Sequence, residues 1–181
     1  MSDARTGHRL SPDVILFAAR DLLEAEGKLT MRGLAAKLGV DPMAVYHYFP
    51  NKDVLLIALT AYQYAGLDEI APRFGGLPDW QARVSLLAEA YLERALAAPA
   101  LVRALAQGAA GVEDIVKRFE RLFVLATPEL ALKPAQRRAC IGVLADFIHG
   151  YALSGTYAPA EWRAELRIVL LGIGTAAELR Q

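Results

Sequence analysis

The sequence is short of several things, and each scarcity removes a class of explanation. It holds one cysteine, Cys140, so no disulfide can close within the chain and a reducing compartment is expected. Cys140 lies in an apolar helical pattern and reads as a small buried hydrophobe rather than a reactive thiol. No apolar run follows the polar start Met1-Ser2-Asp3, so no signal peptide is expected. The longest apolar stretch, Ile168 to Ala177, is far shorter than the roughly 20 residues a bilayer span requires. A soluble, cytoplasmic protein with no membrane partner is expected. An excess of one charge is also missing: 20 Lys and Arg face 20 Asp and Glu, which argues against a strongly basic domain. There is no strand-like alternation, no internal repeat and no low-complexity tract. No Ser/His/Asp set, Gly-rich phosphate loop or Cys/His metal spacing appears, so no cofactor or metal is expected and catalysis is unsupported.

What is present is apolar and helical. With 181 residues, 55% hydrophobic and 22% charged, the chain can bury a sizeable core and is not disordered. The stretch from Lys28 to Asp53 divides into two short helices with a well-marked turn. Thr30 can cap the first, and Met31, Leu34, Ala35 and Leu38 then recur at helical spacing. Gly39 falls where a helix end needs a left-handed residue. Asp41 can cap the second helix, with Pro42 at its first position, and Pro50 and Asn51 close it. Such a pair is a helix-turn-helix, whose second helix can enter a DNA major groove. Within it Val45 and Phe49, four apart, belong to the core with part of Tyr48, leaving Met43, Ala44 and His47 on the groove side. Local charge favours this: Lys28, Arg32, Lys37 and Lys52 stand against Asp41 alone between 28 and 52, although Asp21, Glu24 and Glu26 offset them from the preceding helix. A small basic face is expected.

The remaining elements follow in order. Residues 1–9, with Arg5, His8 and Arg9, read as an N-terminal arm. A first helix is capped by Ser11, starts at Pro12, carries its inner stripe on Val14, Ala18, Leu22 and Ala25 with Phe17 and Leu23 beside it, and ends at Gly27. A fourth runs from Lys52 to about Leu67 and is apolar on more than one side, and Pro72, Gly75, Gly76 and Pro78 form the clearest break in the chain. Further helices are expected over about 79–97, from Pro99 to Gly108, and over 112–125, 135–154 and 160–179. Their stripes are Trp80, Val84, Leu87, Tyr91 and Ala95; Leu101, Val102 and Leu105; and Ile115, Phe119, Leu122 and Phe123. On the last two they are Val143, Phe147 and Tyr151, then Trp162, Leu166, Val169, Leu170, Ile173 and Ala177. The class is all-α. Gly142, Gly150, Gly155, Gly172 and Gly174 fall in or beside these two helices, where an interior glycine costs about 0.5–1 kcal/mol relative to alanine and suits close approach of another backbone.

The run Leu-Thr-Met-Arg-Gly-Leu-Ala-Ala-Lys-Leu-Gly-Val, followed by Tyr46-His47-Tyr48-Phe49-Pro50-Asn51-Lys52, resembles the DNA-binding domain of tetracycline-repressor-type (TetR) regulators. The resemblance is specific over about residues 10–60 and beyond them is one of length and helix pattern. It implies a DNA-binding domain over 1–55 and a larger helical ligand-binding and dimerisation domain over 56–181. By resemblance, Tyr46 and Lys52, with Thr30 and Arg32, bind backbone phosphates of double-stranded DNA, and base reading falls to Pro42, Met43, Ala44 and His47. No Arg, Asn or Gln stands at those base-facing positions, a departure that points to shape or to the N-terminal arm for selectivity. The resemblance also implies that the last two helices pair with their copies in a homodimer, through Gly142, Gly150, Trp162, Leu166, Val169, Leu170 and Ile173. It implies a cavity for a small hydrophobic effector, for which Tyr62, Tyr91, Phe119, Phe123, Phe147 and His149 are candidates. His149 and Asp146, three apart on one helix face, could hold a ligand only with a third group. The expected function is a homodimeric repressor that binds a palindromic operator and is released by a ligand. A helical small-molecule-binding protein that keeps the helix-turn-helix as scaffold is the alternative.

Overall fold

The computed structural model describes residues 10–178, so the arm over residues 1–9 and the expected end of the last helix at Leu179 lie outside the described residues. Nine α-helices are found among the described residues: α1 (Pro12–Glu26), α2 (Met31–Leu38), α3 (Pro42–Tyr48), α4 (Lys52–Gln63), α5 (Trp80–Leu96), α6 (Pro99–Ala106), α7 (Val112–Ala126), α8 (Pro134–Ser154) and α9 (Pro159–Glu178).

The first five helix starts are set by short polar side chains at their caps. Ser11, Thr30, Asp41, Asn51 and Asp79 each accept a hydrogen bond from a backbone N–H in the first turn of α1, α2, α3, α4 and α5, satisfying donors that have no partner inside the helix. Gly39 sits between α2 and α3 at φ 67°, the left-handed conformation that lets the chain reverse in a few residues. Between α4 and α5 the chain departs from expectation. Helix α4 ends at Gln63 rather than at about Leu67, and residues 67–76, which include Pro72, Gly75 and Gly76 of the expected break, form a 3-10 segment that buries Leu67, Ile70 and Phe74. Apolar residues every three or four positions hold it on the core despite Pro72.

One continuous apolar core runs from α1 to α9. Helix α5 is central, packing on α6, α7, α8 and the 3-10 segment, with Trp80, Val84, Leu87, Ala88, Tyr91 and Ala95 buried as their spacing predicts. Helix α1 also packs on α2, α4 and α6, but its buried stripe is Ile15, Ala19 and Leu22 with Leu16, Ala18 and Leu23; Phe17 and Ala25 are exposed. Phe17 instead carries the Arg20 guanidinium 4.7 Å over its ring. On α8 the buried residues are Cys140, Leu144, Ile148 and Ala152 rather than the expected Val143 stripe, and burial pushes the Cys140 thiol pKa up. Phe147 and Tyr151 are half-buried against Trp162, with Phe147 stacked on it at 4.6 Å. No helix among the described residues is long and apolar enough to cross a membrane.

Candidate nucleic-acid interface and ligand cavity

Helix α3 is held to the core on one side and open to solvent on the other. Val45 is fully buried and Phe49 is 7% exposed, so α3 is pinned to the core through two residues four apart. The opposite side is solvent-facing: Pro42, Met43, Tyr46 and His47 are exposed, and Ala44 is half-buried. Thr30, Arg32 and Lys52, at the starts of α2 and α4, are exposed too, as are Lys28 and Lys37. Residues expected at phosphates and most of those expected at base edges are therefore accessible to a partner. Thr30 has a local duty as well, because its Oγ1 accepts from Gly33 N–H at 3.0 Å. Tyr48, assigned in part to the core, is 38% exposed, and its hydroxyl donates to the Leu10 carbonyl at 2.9 Å. It ties the end of α3 to the residue from which the N-terminal segment leaves. Spacing alone could not reveal this, since the partner is 38 positions away.

A second site lies in the helical body. A cavity of about 100 Å³ is lined by Tyr64, Tyr91, Val102, Leu105, Ala106, Val112, Ile115, Val116, Phe119, Ile141, Ala145 and His149. Its polar atoms come from three residues. The Tyr91 hydroxyl and His149 Nε2 are 3.1 Å apart, and the Tyr64 ring lies 4.9 Å from that of Tyr91. Burial is the main cause of the raised pKa of both tyrosines. It also lowers the His149 pKa, against the opposing charge of Asp146, so the imidazole is favoured in its neutral form.

Three of the six cavity candidates are brought together here: Tyr91, Phe119 and His149. The other three are elsewhere, for reasons of helical phase. Tyr62 is 37% exposed because Tyr64, two residues on, takes the inward direction. Phe147 stands in the same relation to His149 and turns to Trp162 instead. Phe123 is fully buried one turn beyond Phe119, outside the cavity wall. Tyr64 is the aromatic lining residue absent from the candidates, and its position at the end of α4 decides its direction. Asp146 is exposed and does not join His149 in the cavity, and no group of three or more possible metal ligands exists among the described residues.

Two connections join the cavity wall to α1 and α4, the helices that precede and follow the helix-turn-helix. Helix α6, which supplies Val102, Leu105 and Ala106 to the wall, has no capping side chain of its own. The Glu24 carboxylate on α1 serves instead, accepting from Ala100 N–H at 3.0 and 3.1 Å and from Leu101 N–H at 3.3 Å. Helix α7 reaches α4: Arg118 Nη1 donates to the Tyr64 carbonyl at 2.8 Å, and Gly111 passes so close that a Cβ there would meet Thr60 Oγ1 at 2.8 Å.

The last two helices offer a surface unlike the one expected. Trp162, Leu166, Leu170 and Ile173 are buried inside the chain itself, at 5% exposure or less, and Val169 is half-buried. The four buried residues pack inward and belong to the core of the single chain, while Val169 keeps part of its surface. Gly142 and Gly150 do face outward, beside Val143 on α8, and α9 adds Ile168, Leu171 and Gly172.

The geometry defines an all-α protein with an N-terminal helix-turn-helix presented by a larger helical body. Residues 15–59 match the family model described as bacterial regulatory proteins, tetR family, so this helix-turn-helix is of the TetR type. The whole fold is shared with solved TetR structures. SCO7222, a TetR transcriptional regulator from Streptomyces coelicolor, is 20% identical over 93% of this chain and 100% of its own, with TM-score 0.71. BioQ with its double-stranded DNA operator is 21% identical over 92% of this chain and 99% of its own, with TM-score 0.64. The S. coelicolor TetR family protein ActR, in complex with (S)-DNPA, is 18% identical over 93% and 99%, with TM-score 0.66. At these identities the likeness is one of fold. No curated protein matches the sequence.

Proposed function

We propose that the protein is a cytoplasmic, homodimeric transcriptional repressor that binds a palindromic operator in double-stranded DNA and leaves it when a small apolar ligand binds. The observation that carries this reading is α3 itself, pinned through Val45 and Phe49 while Met43, Tyr46 and His47 are left to solvent beside Arg32 and Lys52. In this reading Tyr46, Lys52, Thr30 and Arg32 hold phosphates and place the helix, and Pro42, Met43, Ala44 and His47 meet base edges. The apolar members suit thymine methyl groups, and His47 offers one hydrogen bond. Such a helix discriminates weakly alone, so two copies about 34–36 Å apart, one DNA turn, are needed. The operator-bound BioQ neighbour supports the DNA role.

The glycines of α8 and α9 support the dimer. A Cβ on Gly142, Gly150 or Gly172 would meet nothing within 4 Å, so nothing inside the chain requires glycine at these helical positions. Close approach of a second backbone supplies the reason, over a surface that includes Val143, Ile168 and Leu171. Gly174 is different, for there a Cβ would lie 3.4 Å from the Trp80 ring. Release follows from the two connections. A ligand that widens the cavity displaces α6 and α7, and Glu24 and Arg118 pass the change to α1 and α4. It weakens DNA binding to the extent that it prefers the displaced arrangement. The ActR complex with (S)-DNPA supports a small-molecule role for such a fold.

The test is fluorescence anisotropy on an operator selected from random duplex DNA. Lys52→Ala should lower affinity by about tenfold and make the salt dependence shallower by about one phosphate contact, with Tyr46→Ala lowering affinity less and both variants keeping their association state. Unchanged affinity and salt slope would remove the phosphate assignment. Failure to select any duplex would favour the scaffold-only alternative.

A further inference from the structure

The chemistry of the cavity wall narrows what can enter it, resting on the reading of this cavity as the ligand site. We propose that it takes a small neutral molecule built on one aromatic ring with a single hydroxyl or carbonyl group, a phenol-like compound seated at the Tyr91–His149 pair. Size is the first argument. At about 100 Å³ the cavity is smaller than an engineered apolar cavity of roughly 150 Å³ that takes benzene, so one ring enters with slight widening and a fused system does not. Widening is available where Ala106 and Val116 are exposed, because there the wall between α6 and α7 meets solvent.

Shape is the second argument. Tyr64, Tyr91 and Phe119 are in ring-to-ring contact and make up the aromatic side of the lining, with Phe119 edge-on to Tyr91 at 5.0 Å, and aliphatic side chains of α6, α7 and α8 complete it. A flat ring can add to the aromatic side in offset or edge-on contact.

Charge is the third. No Lys, Arg, Asp or Glu lines the cavity. A carboxylate or ammonium inside would be buried without an ionised partner, whereas a hydroxyl or carbonyl is matched by what is there. Tyr91 has one O–H donor and an oxygen that accepts twice, and its bonds to His149 and to the Tyr64 hydroxyl use two of these three capacities. A place for one more hydrogen bond therefore remains at the inner end, and one polar group is all it requires.

The experiment is calorimetric titration of the full chain with four para-substituted probes sharing one ring: 4-methylphenol, toluene, 4-methylbenzoate and 4-methylbenzylamine. The expected order is 4-methylphenol about tenfold tighter than toluene, and at least a hundredfold tighter than either charged probe. Tyr91→Phe should bring 4-methylphenol down to the affinity of toluene while toluene itself still binds. Should that variant not fold, the order of the four probes on the native chain decides alone. Equal or tighter binding of the benzoate or the amine, no advantage of 4-methylphenol over toluene, or no binding of any probe overturns the proposal. Operator affinity measured with each probe separates the two readings. Binding of 4-methylphenol in the expected order without DNA release upholds the ligand class and removes the release mechanism. Release by a charged probe that out-binds 4-methylphenol removes the ligand class and keeps the mechanism.

Discussion

Two helix pairs in this chain present surface their own fold does not use, and they present opposite chemistry. The α2–α3 pair turns out Arg32, Tyr46 and His47, with Met43 as its one large aliphatic side chain. The α8–α9 pair turns out Val143, Ile168 and Leu171, the last two 69% and 73% exposed, among glycines that nothing nearby requires. The first suits a charged, hydrated partner and the second an apolar partner that comes close. On the proposed reading the two surfaces divide the work: local caps stiffen the pair that meets DNA, while the apolar surface on the body is left for a second copy.

The largest test of that contrast replaces Ile168 and Leu171 together with glutamate. Both side chains are exposed in the single chain, so folding should survive, while self-association measured by sedimentation should weaken by at least a hundredfold. A native-like association constant would move the interface elsewhere. A smaller effect is expected where the two regions meet. Glu24→Ala removes the only side-chain cap on α6 and should cost about 1–2 kcal/mol in urea unfolding, with Glu24→Gln recovering part of it. An unchanged unfolding midpoint would show that the contact couples nothing. The smallest effect is the most discriminating. In the chain with both glutamates, Gly142→Ala should stabilise folding by about 0.5–1 kcal/mol, because helix propensity alone acts there. In the native chain the same substitution should weaken association, and tighter association would refute close backbone approach at that position.

How much of this was legible in the sequence follows from the range of each interaction. Ser11, Thr30, Gly39, Asp41 and Asn51 act within two to five residues, so the turn and caps of the helix-turn-helix were readable as written. Periodicity along α9 correctly marked Trp162, Leu166, Leu170 and Ile173 as buried, but periodicity says only that a face is covered. The covering surface is the chain's own core, and the outward Ile168 and Leu171 were passed over because they lie off the stripe. The cavity was half legible for a similar reason. Tyr91 and His149 are 58 residues apart, and no spacing rule reports that two helices bring them within 3.1 Å. The direction of Tyr64 against Tyr62 hung on α4 stopping at Gln63, an end marked by no strong cap.

The central claim is that the outward face of α8–α9 is part of the DNA-binding machinery although it touches no DNA. Operator affinity of the Ile168→Glu, Leu171→Glu chain tests it most directly, measured beside the native chain at one salt concentration with circular dichroism to confirm that both are folded. A loss of at least a hundredfold in affinity for the full palindrome is expected, with the residual binding no stronger than to a single half-site. Native affinity for the palindrome by a folded monomer would contradict it.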